Sequence, residues 1–454
     1  MTLSRRTLLA GLAGLGTAAA TGPAEAFVAS GLRGSVNLNQ QGVRPIAFDD
    51  QSQTLQRAID GAAAAGEALF LPPGTYVVSN ITLPDGAMLT GVPGSTRIVY
   101  GGEGHLFLST GASRIRLTGL FIDGANRPLA DYAPALIHLS TAGDMVIEDC
   151  EIVGSSKTGI VLDRASGRIS RCLIREAVDA AIQVYSSEGL EISGNTVRDC
   201  ADNGILVWRW DQGEDGTLVT GNRIERIRAR SGGTGPYGNG INVFRAGGVV
   251  VSNNVIDDCD FSAIRMNSGT NVQILGNACR RLGETAIFAE FGFDGAVIAN
   301  NIIDGAASGI SITNFNSGGR LGVASGNIVR NLNTTSRLPT EDPIYGIGIA
   351  AEADVAITGN VIEGAPSVGI ALGWGPYLRD VTANANVIRH AGIGIAVSAV
   401  EGSGSAVITD NLIADATRGA VLGMRWREIA TGELADGTAS DTPAHVSVSR
   451  NRVS

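Results

Sequence analysis

The tetrapeptide Gly204-Ile205-Leu206-Val207 is one copy of a motif that returns along most of this 454-residue chain. Each copy has Gly or Ala, then Ile, then a variable residue, then an apolar residue. Copies begin at residues 159, 181, 204, 240, 263, 286, 309, 346, 369 and 394. The regular steps are 22 to 25 residues, and the steps from 204 to 240 and from 309 to 346 are longer. A period of this length indicates a solenoid, in which each short unit buries its apolar face only against its neighbours.

A second motif, which ends in asparagine, interleaves with the first at the same rhythm. Asn tolerates the left-handed conformation of tight turns, and stacked Asn side chains can form ladders inside a coil. Within the first motif the apolar residues alternate with the variable one, so the variable residue faces outward. The repeated Asn residues are Asn195, Asn222, Asn254, Asn277, Asn301, Asn327 and Asn360, with less regular copies at Asn386, Asn411 and Asn451.

The repeat resembles that of the right-handed parallel β-helix in the pectate-lyase-like superfamily, over roughly residues 40–454. A leucine-rich repeat has a similar period, but its Leu-x-x-Leu-x-Leu frame is missing and Ile and Val dominate here. The resemblance implies an all-β fold: a single-stranded right-handed parallel β-helix solenoid with an N-terminal capping helix.

The segment before the first coils carries the pattern of that cap. In residues 52–65, Leu55 and Ile59 fall on one helical face with several alanines, and Gly66 is the expected stop. A short apolar strand, a Pro-Pro-Gly turn and Thr75-Tyr76-Val77-Val78 follow. This order resembles the N-terminal cap of pectate-lyase-like and polygalacturonase-like proteins. The predicted organisation is a twin-arginine signal peptide at 1–26, the cap and first coils at 27–125, and β-helix repeats at 126–454.

The N-terminus has the pattern of an export signal. Arg5 and Arg6 precede an apolar run to about Ala20, and Ala24-Glu25-Ala26 offers a cleavage site. The paired arginines favour the twin-arginine export machinery as a partner, although an ordinary secretory signal is the alternative. We expect a periplasmic or secreted protein with no stable membrane span after signal removal. The chain resembles twin-arginine-translocated β-helix repeat proteins of bacteria, which implies the fold and the compartment but no reaction.

Composition excludes some classes of partner and leaves others open. The net charge of −10 argues against nucleic acid, because phosphate binding favours a basic face. No Cys-x-x-Cys or His-rich spacing suggests a metal, and the sequence leaves a cofactor unknown. Five cysteines make a disulfide framework improbable. Cys150 and Cys172 should lie on adjacent coils within bridging range, but a ladder of buried thiols is favoured.

Two rows of outward residues follow from the strand register. The middle coils carry aromatic, charged and amide side chains, whereas both rows turn small after Thr313. A clustered strip of this kind is a binding-site signal. The first row is His138, Val161, Gln183, Leu206, Asn242, Arg265, Phe288 and Ser311, and the second is Ser140, Asp163, Tyr185, Trp208, Phe244, Asn267, Glu290 and Thr313.

The two long steps place loop insertions at the same turn of the coil. The first insertion, near 225–238, contains Tyr237, and the second, near 329–345, contains Glu341 and Asp342. The insertions leave the solenoid four coils apart, which is about 19 Å along its axis. We therefore expect them to wall both ends of the outward strip.

The strip predicts a sugar-binding surface, because sugar rings stack on aromatic faces and sugar hydroxyls pair with planar polar groups. Arg265 and Glu290 are the catalytic candidates. A uronate lyase or epimerase needs a cation to neutralise the substrate carboxylate, which Arg265 could provide, and a base for the neighbouring proton, which Glu290 could provide. A glycoside hydrolase needs paired carboxylates, which Glu290 with Glu284, Asp260 or Asp294 would supply. A surface ion pair of little energetic value is the alternative for Arg265 and Glu290. The binding candidates are Tyr185, Trp208, Asn242, Phe244, Asn267, Phe288 and Tyr237.

Several motifs of known β-helix enzymes are missing. The Asp-Pro-His-Asp motif of alginate epimerases and the catalytic set of polygalacturonases are absent, and no calcium cluster like that of pectate lyases is evident. We therefore predict an exported protein that binds or acts on a polysaccharide, with a uronate-containing polymer as one candidate. The enzyme classes are polysaccharide lyase, epimerase or glycoside hydrolase. The alternative is a non-catalytic cell-envelope protein that binds glycan or protein along the same face.

Overall fold

A computed structural model describes residues 34–45, 49–232, 235–337 and 344–454. The predicted signal peptide and two members of the second insertion, Glu341 and Asp342, lie outside the described residues. The described chain is an all-β, right-handed parallel β-helix of about 13 turns. Each turn contributes a strand to each of three parallel sheets, in the chain order sheet 1, sheet 2, sheet 3.

Sheet 1 holds the repeated Gly-Ile motif. Its strands are Ile81–Thr82, Phe107–Thr110, Ala135–Ser140, Thr158–Asp163, Ala180–Tyr185, Asn203–Glu214, Asn239–Gly247, Ile264–Asn267, Thr285–Glu290, Ser308–Ile312, Ile347–Ala351, Val361–Leu372, Val387–Ser398 and Gly419–Arg425. Val361–Leu372 and Val387–Ser398 are long because each begins in sheet 3 and ends in sheet 1.

Sheets 2 and 3 complete each turn. Sheet 2 consists of Ser35–Asn37, Ala68–Phe70, Ala87–Thr90, Arg114–Thr118, Asp144–Glu148, Gly167–Ser170, Glu191–Ser193, Leu218–Thr220, Val250–Ser252, Thr270–Leu275, Asp294–Ala299, Arg320–Ser325, Ala353–Thr358, Arg379–Asn384, Ala406–Thr409 and Val446–Ser449. Sheet 3 otherwise consists of Gly74–Val78, Thr96–Tyr100, Phe121–Asp123, Glu151–Val153, Leu173–Arg175, Thr196–Arg198, Arg223–Ile227, Val255–Cys259, Ala278–Arg280, Ile302–Ala306, Ile328–Leu332, Leu412–Ala414 and Arg452–Val453.

The N-terminal helix is the predicted cap. It spans Ser52–Ala65 and ends at Gly66, whose left-handed backbone lets its N–H reach the last helical carbonyls. Leu55 and Ile59 are fully buried and belong to the same core as the coils, so the helix closes the apolar end of the solenoid. The other helical segments in the described ranges are 3-10 turns at Leu38–Gln41 and Phe315–Ser317.

The repeated asparagines form a continuous ladder at the turn between sheets 2 and 3. In each rung the backbone N–H and the Nδ2 of one Asn donate to the Oδ1 of the next; for Asn254 and Asn277 these distances are 3.0 and 2.9 Å. Nδ2 of Asn254 also donates to the carbonyl of Val219 at 3.0 Å. The ladder runs from Asn195 to Asn451 and satisfies polar groups that the turn buries.

Cysteines take the place of asparagine where the ladder begins. The backbone N–H of Cys172 donates to Asn195 Oδ1, and Cys150 holds the same position one coil earlier. All five cysteines are free and buried, as the favoured interpretation predicted. Burial raises the pKa of the Cys200 thiol to about 12, so this thiol stays protonated at neutral pH.

The ladder generates a prediction about stability. Asn277→Ala removes the acceptor of Asn254 and the donor to Asn301, so several buried polar groups lose their partners. We expect the free energy of unfolding to fall by about 2 kcal/mol or more. Chemical denaturation followed by circular dichroism measures the change. Asn451→Ala, at the partly exposed last rung, is the matched control and should lower the free energy of unfolding less. Equal decreases in the two variants would contradict the view that burial sets the cost of breaking a rung.

Candidate functional site

The outward rows have the register that the sequence predicted. Asn242 pairs with Arg265, and Arg265 pairs with Phe288, on successive strands of sheet 1. Trp208 likewise pairs with Phe244, and Phe244 with Asn267, in the second row. The side chains of the middle coils are therefore neighbours on one outer face.

Arg265 lies at the centre of a buried ion cluster. Its Nε and Nη2 both donate to the Glu290 carboxylate at 2.6 Å, in a bidentate pair. Its Nη1 donates to Glu284 Oε2 at 3.1 Å, and its guanidinium carbon lies 4.9 Å from the centroid of the Phe288 ring. Asn267 Nδ2 donates to Glu290 Oε1 at 3.1 Å. The arrangement fixes the orientation of the Glu290 carboxylate from two sides.

Burial separates this cluster from an ordinary surface ion pair. Arg265 is 8% exposed, Glu290 is 3% exposed and Glu284 is 8% exposed. Burial raises the pKa of Glu284, while the positive charge of Arg265 acts in the opposite direction. When both carboxylates are ionised, the cluster carries one excess negative charge. Arg265 and Glu290 are therefore not a surface pair, and breaking such a buried pair leaves an uncompensated charge. A catalytic role for the two residues stays a prediction.

Four aromatic side chains form a continuous cluster beside the ions. The rings of Tyr185 and Trp210 are stacked, with centroids 5.1 Å apart and planes 3° from parallel. Trp208 makes an edge contact with Tyr185 at 6.2 Å and a tilted contact with Phe244 at 5.6 Å. Trp210 is 65% exposed, so the cluster presents a broad apolar surface to solvent.

A bulge in the longest early strand places Trp210. The pairing of Asn203–Glu214 with the next coil is interrupted between Trp208 and Gly213, and the intervening residues leave the sheet. The bulge is fastened by Arg245 Nη1, which donates to the Trp210 carbonyl at 2.7 Å, and by Gln212 Nε2, which donates to the Ser268 carbonyl at 3.0 Å. Tryptophan is thereby held against Tyr185 on the preceding coil.

The first insertion closes the site from the other edge. Buried Asn203 and Asn239 hold it: their Nδ2 groups donate to the carbonyls of Pro236 at 2.9 Å and Gly235 at 2.7 Å. A Cβ at Gly235 would lie 2.9 Å from Nη2 of Arg265, so glycine lets the loop pack against the guanidinium.

These elements enclose a cavity of about 450 Å³. Its lining residues are Trp208, Gly235, Pro236, Asn242, Phe244, Arg265, Asn267, Glu290 and Phe291. Trp208 Nε1 and Asn242 Oδ1 are buried and have no hydrogen-bond partner among the described residues. Both residues line the cavity, so a ligand hydroxyl that reached these atoms would accept from Trp208 Nε1 or donate to Asn242 Oδ1.

Most of the predicted site residues meet at this cavity. Tyr185 belongs to the aromatic cluster and Phe288 lies against the Arg265 guanidinium, but neither lines the cavity. Tyr237 does not line it either; the first insertion contributes Gly235 and Pro236 instead. Phe291 was missing from the candidates because it follows the end of a repeat motif, outside the two outward rows.

The described residues of the second insertion, up to 337 and from 344, do not line the first cavity. Arg337 Nη1 donates to Asp258 at 2.6 Å, and its Nη2 donates to the Arg281 carbonyl at 2.8 Å. Ile344 and Tyr345 line another cavity on sheet 1, towards the C-terminus. Among the described residues, no group of three or more His, Cys, Asp or Glu side chains is placed to hold a metal ion.

Fold and site together define the class of this protein: a right-handed parallel β-helix with an aromatic and ionic cavity on its first sheet. The chain belongs to the right-handed β-helix family, whose sequence profile matches residues 94–224 and 212–378. No curated protein matches the sequence. In the described part of the chain, no helix has the length and apolar character needed to span a membrane.

Solved structures with the same fold are distant in sequence. The A-module of a mannuronan C-5 epimerase from Azotobacter vinelandii has a TM-score of 0.52 at 17% identity, over 84% of this chain and 99% of the module. PfbA, a surface adhesin of Streptococcus pneumoniae, has a TM-score of 0.50 at 15% identity, over 92% of this chain and 99% of that chain. Pre-mature bacteriophage phi29 gene product 12 has a TM-score of 0.50 at 15% identity; the match covers 90% of this chain but only 58% of the phage chain. Identities this low show the shared fold alone.

The ion cluster generates a prediction about stability. Arg265→Met leaves Glu290 and Glu284 without their cation in a buried site, so we expect unfolding to become easier by about 3–5 kcal/mol at neutral pH. Arg320→Met is the control, because Arg320 pairs with Asp354 at a site where its side chain is 47% exposed, and it should cost about 1 kcal/mol or less. Urea denaturation compares the two variants. Similar losses of unfolding free energy in the two variants would contradict the expectation that burial makes the Arg265 pair the more costly one to break.

The raised pKa of Glu284 predicts a pH dependence. The folded state holds the Glu284 proton more tightly than the unfolded chain, whose glutamate has the ordinary pKa of 4.5. The resulting stabilisation is fully present below pH 4.5 and is lost as the pH rises through the folded pKa. The free energy of unfolding of the wild type should therefore fall, relative to that of Glu284→Gln, as the pH rises above 4.5. Denaturation across this range tests the difference; parallel profiles would contradict it.

Proposed function

We propose that this protein binds a polysaccharide along the outer face of sheet 1, with the cavity around Arg265 as its central subsite. The proposal includes export through the twin-arginine pathway to the periplasm or the medium, for which the N-terminal sequence is the support. Tyr185, Trp208, Trp210 and Phe244 offer apolar faces on which sugar rings stack.

One observation carries the proposal: two unpaired buried polar atoms lie beside an aromatic surface. Trp208 Nε1 and Asn242 Oδ1 have no partner among the described residues, although both are buried. Leaving such groups unpaired costs about 1–3 kcal/mol each, so a ligand that pairs with both gains affinity. A sugar ring provides hydroxyls at its edge and apolar faces, which matches this combination.

The charge of the cluster favours a neutral sugar at this subsite. The positive charge of Arg265 is already balanced by Glu290 and Glu284. A uronate carboxylate would have to compete with two carboxylates for a guanidinium that is already buried. The geometry therefore supports a neutral polymer better than the uronate-containing one that the sequence suggested.

A second candidate function is cleavage of that polymer. Glycoside hydrolysis uses two carboxyl groups, one of them with a raised pKa. Glu284 has a raised pKa, and Glu290 lines the cavity; both contact the same guanidinium. The lyase and epimerase alternatives need Glu290 as the base, and Arg265 and Asn267 already donate three hydrogen bonds to its carboxylate. A hydrolase that used Glu290 would have to work against the same three bonds.

A non-catalytic envelope protein stays the rival class. A mannuronan epimerase module and a pneumococcal surface adhesin both have this fold. The fold therefore accommodates enzymes as well as adhesins, and the choice between them depends on turnover.

The binding proposal predicts that Trp208 contributes strongly to affinity. Trp208→Ala removes both the stacking face and the Nε1 donor, so affinity for the bound polymer should fall about tenfold or more. Trp208→Phe keeps an aromatic face and removes only the Nε1 donor, so it should lower the affinity less than Trp208→Ala does. Isothermal titration with xylan, mannan, dextran, polygalacturonate and alginate measures the effect.

Tyr132→Ala is the matched control, because Tyr132 is an aromatic residue with 60% exposure that lies before an earlier strand, away from the cavity. It should bind as the wild type does. Failure of every polymer in the panel to bind the wild type would overturn the proposal.

Turnover decides between hydrolase and binding protein. Incubation with the same panel, followed by mass spectrometry, should give water-added fragments if the protein is a hydrolase. Glu290→Gln and Glu284→Gln should then lose turnover while keeping affinity within about threefold, since each substitution preserves size and removes charge. Fragments that are unsaturated instead would indicate a lyase, and bound but unchanged polymer would favour the non-catalytic class.

A further inference from the structure

A second aromatic site lies on the same outer face, near the C-terminal end of the solenoid. Trp374 and Trp426 meet edge to face, with ring centroids 5.4 Å apart. Trp426 belongs to the turn between Gly419–Arg425 and the antiparallel strand Glu428–Glu433, and this hairpin folds over sheet 1. Together with Val368, Ile393 and Met424, the two tryptophans line a cavity of about 370 Å³.

The floor of this second site is apolar but separate from the core of the solenoid. Val368, Ile393, Ala396 and Leu422 form their own buried cluster, which the main core does not include. A polar rim accompanies it: Ser367, Ser398 and Arg418 are among the lining residues. An apolar floor with aromatic walls and a few polar groups is typical of a ligand site.

Between the two sites, one outward row of sheet 1 consists of small residues. The outward residues there are small, and they follow one another in register as Ser311, Ala350 and Ala371. A cavity of about 310 Å³ covers this stretch, and it shares Trp374 with the second site. Glu352 and Arg427 line this cavity together with the small residues, so it holds one group of each charge. Small side chains leave room for an extended ligand to lie close to the sheet.

Exposed aromatic residues follow the edge at which sheet 1 ends. Trp210 is 65% exposed, Phe291 is 45% exposed and Trp426 is 46% exposed. Phe291 lines the first cavity, and Trp374 lines the other two. Apolar surface therefore recurs on one side of the whole stretch, beside the small residues of the floor.

The register gives the length of this surface. Six strand pairings lead from Leu206, beside Trp208, to Ala371, beside Trp374. Six spacings of about 4.8 Å correspond to roughly 29 Å along the axis. A single sugar cannot contact both aromatic sites, whereas an extended chain can.

We infer that the two aromatic sites are the ends of one groove, and that the ligand is a linear, neutral polysaccharide segment long enough to span them. Trp208 and the polar cavity hold one end, the small-residue floor carries the middle, and Trp374 with Trp426 holds the other end. The inference rests on the proposed function and adds a length requirement and a second subsite. Two linked contacts on one chain raise its affinity well beyond that of either contact alone.

The test uses oligosaccharides of increasing length from mannan, xylan and cellulose, with titration calorimetry on the full chain. For the wild type, affinity should rise sharply once the oligosaccharide spans about 29 Å. Trp426→Ala should bind short oligosaccharides as the wild type does and long ones about tenfold less well. Trp208→Ala should lose affinity at every length, and Tyr132→Ala should match the wild type throughout.

Three results would overturn the inference in distinguishable ways. If Trp426→Ala binds every length as the wild type does, the second site is not part of the groove, while the proposed function survives. An equal loss at all lengths would indicate structural damage rather than a subsite; Trp426→Phe, which keeps an aromatic face, should restore the binding of long chains if the subsite is real. If no length binds the wild type, the proposed function and the inference fail together.

Discussion

Backbone hydrogen bonds between equivalent strands of successive coils are the interaction on which the rest of this structure depends. Each strand is too short to form a sheet alone, and its parallel partners lie one turn before and one turn after it. The pairing keeps equivalent residues about 4.8 Å apart along the axis. The asparagine ladder adds side-chain bonds of about 3.0 Å to the same alignment, at a turn where backbone groups are buried. Any row of outward residues is therefore an ordered array on a rigid support.

The Arg265 cluster illustrates what this support allows. A buried cation with two carboxylates is a poor source of stability, because the loss of hydration opposes the attraction between the charges. Its geometry is nevertheless well defined: Glu290 is oriented by Arg265 and Asn267, which lie on the preceding coil. The site thus keeps polar groups in fixed directions beside aromatic faces. Such an arrangement favours specific recognition more than stability.

Much of the fold was readable from the sequence, because the period of the apolar residues and the recurring asparagine have simple structural meanings. The helix bounds at Ser52 and Ala65 and both outward rows agree with the structure. The site was less predictable. Glu284 was only one of three carboxylates that the sequence offered as a partner of Glu290. It precedes its strand, so its contact with Arg265 depends on side-chain directions that spacing does not give.

The sequence also did not show whether the extra residues of a long repeat form a bulge or a loop insertion. The long step from 204 to 240 contains both the bulge after Trp208 and the first insertion, but counting residues revealed only the latter. Trp426 lies outside the repeat motif, and only the fold of its hairpin brings it beside Trp374. Contacts between distant turns of this kind need coordinates, because no periodic signal specifies them.

The asparagine ladder has a consequence for how such a chain can change over evolutionary time. Because every rung makes the same bonds to the rungs before and after it, one whole coil can be duplicated or deleted without leaving an unmatched asparagine in the ladder. Such an event in a coil between the two tryptophan-bearing sites would move them apart or together by one strand spacing, while the capping helix and the terminal hairpin stay unchanged. The distance between the two sites can therefore change in steps of one coil, by recombination between repeats. It does not require gradual remodelling of a binding surface.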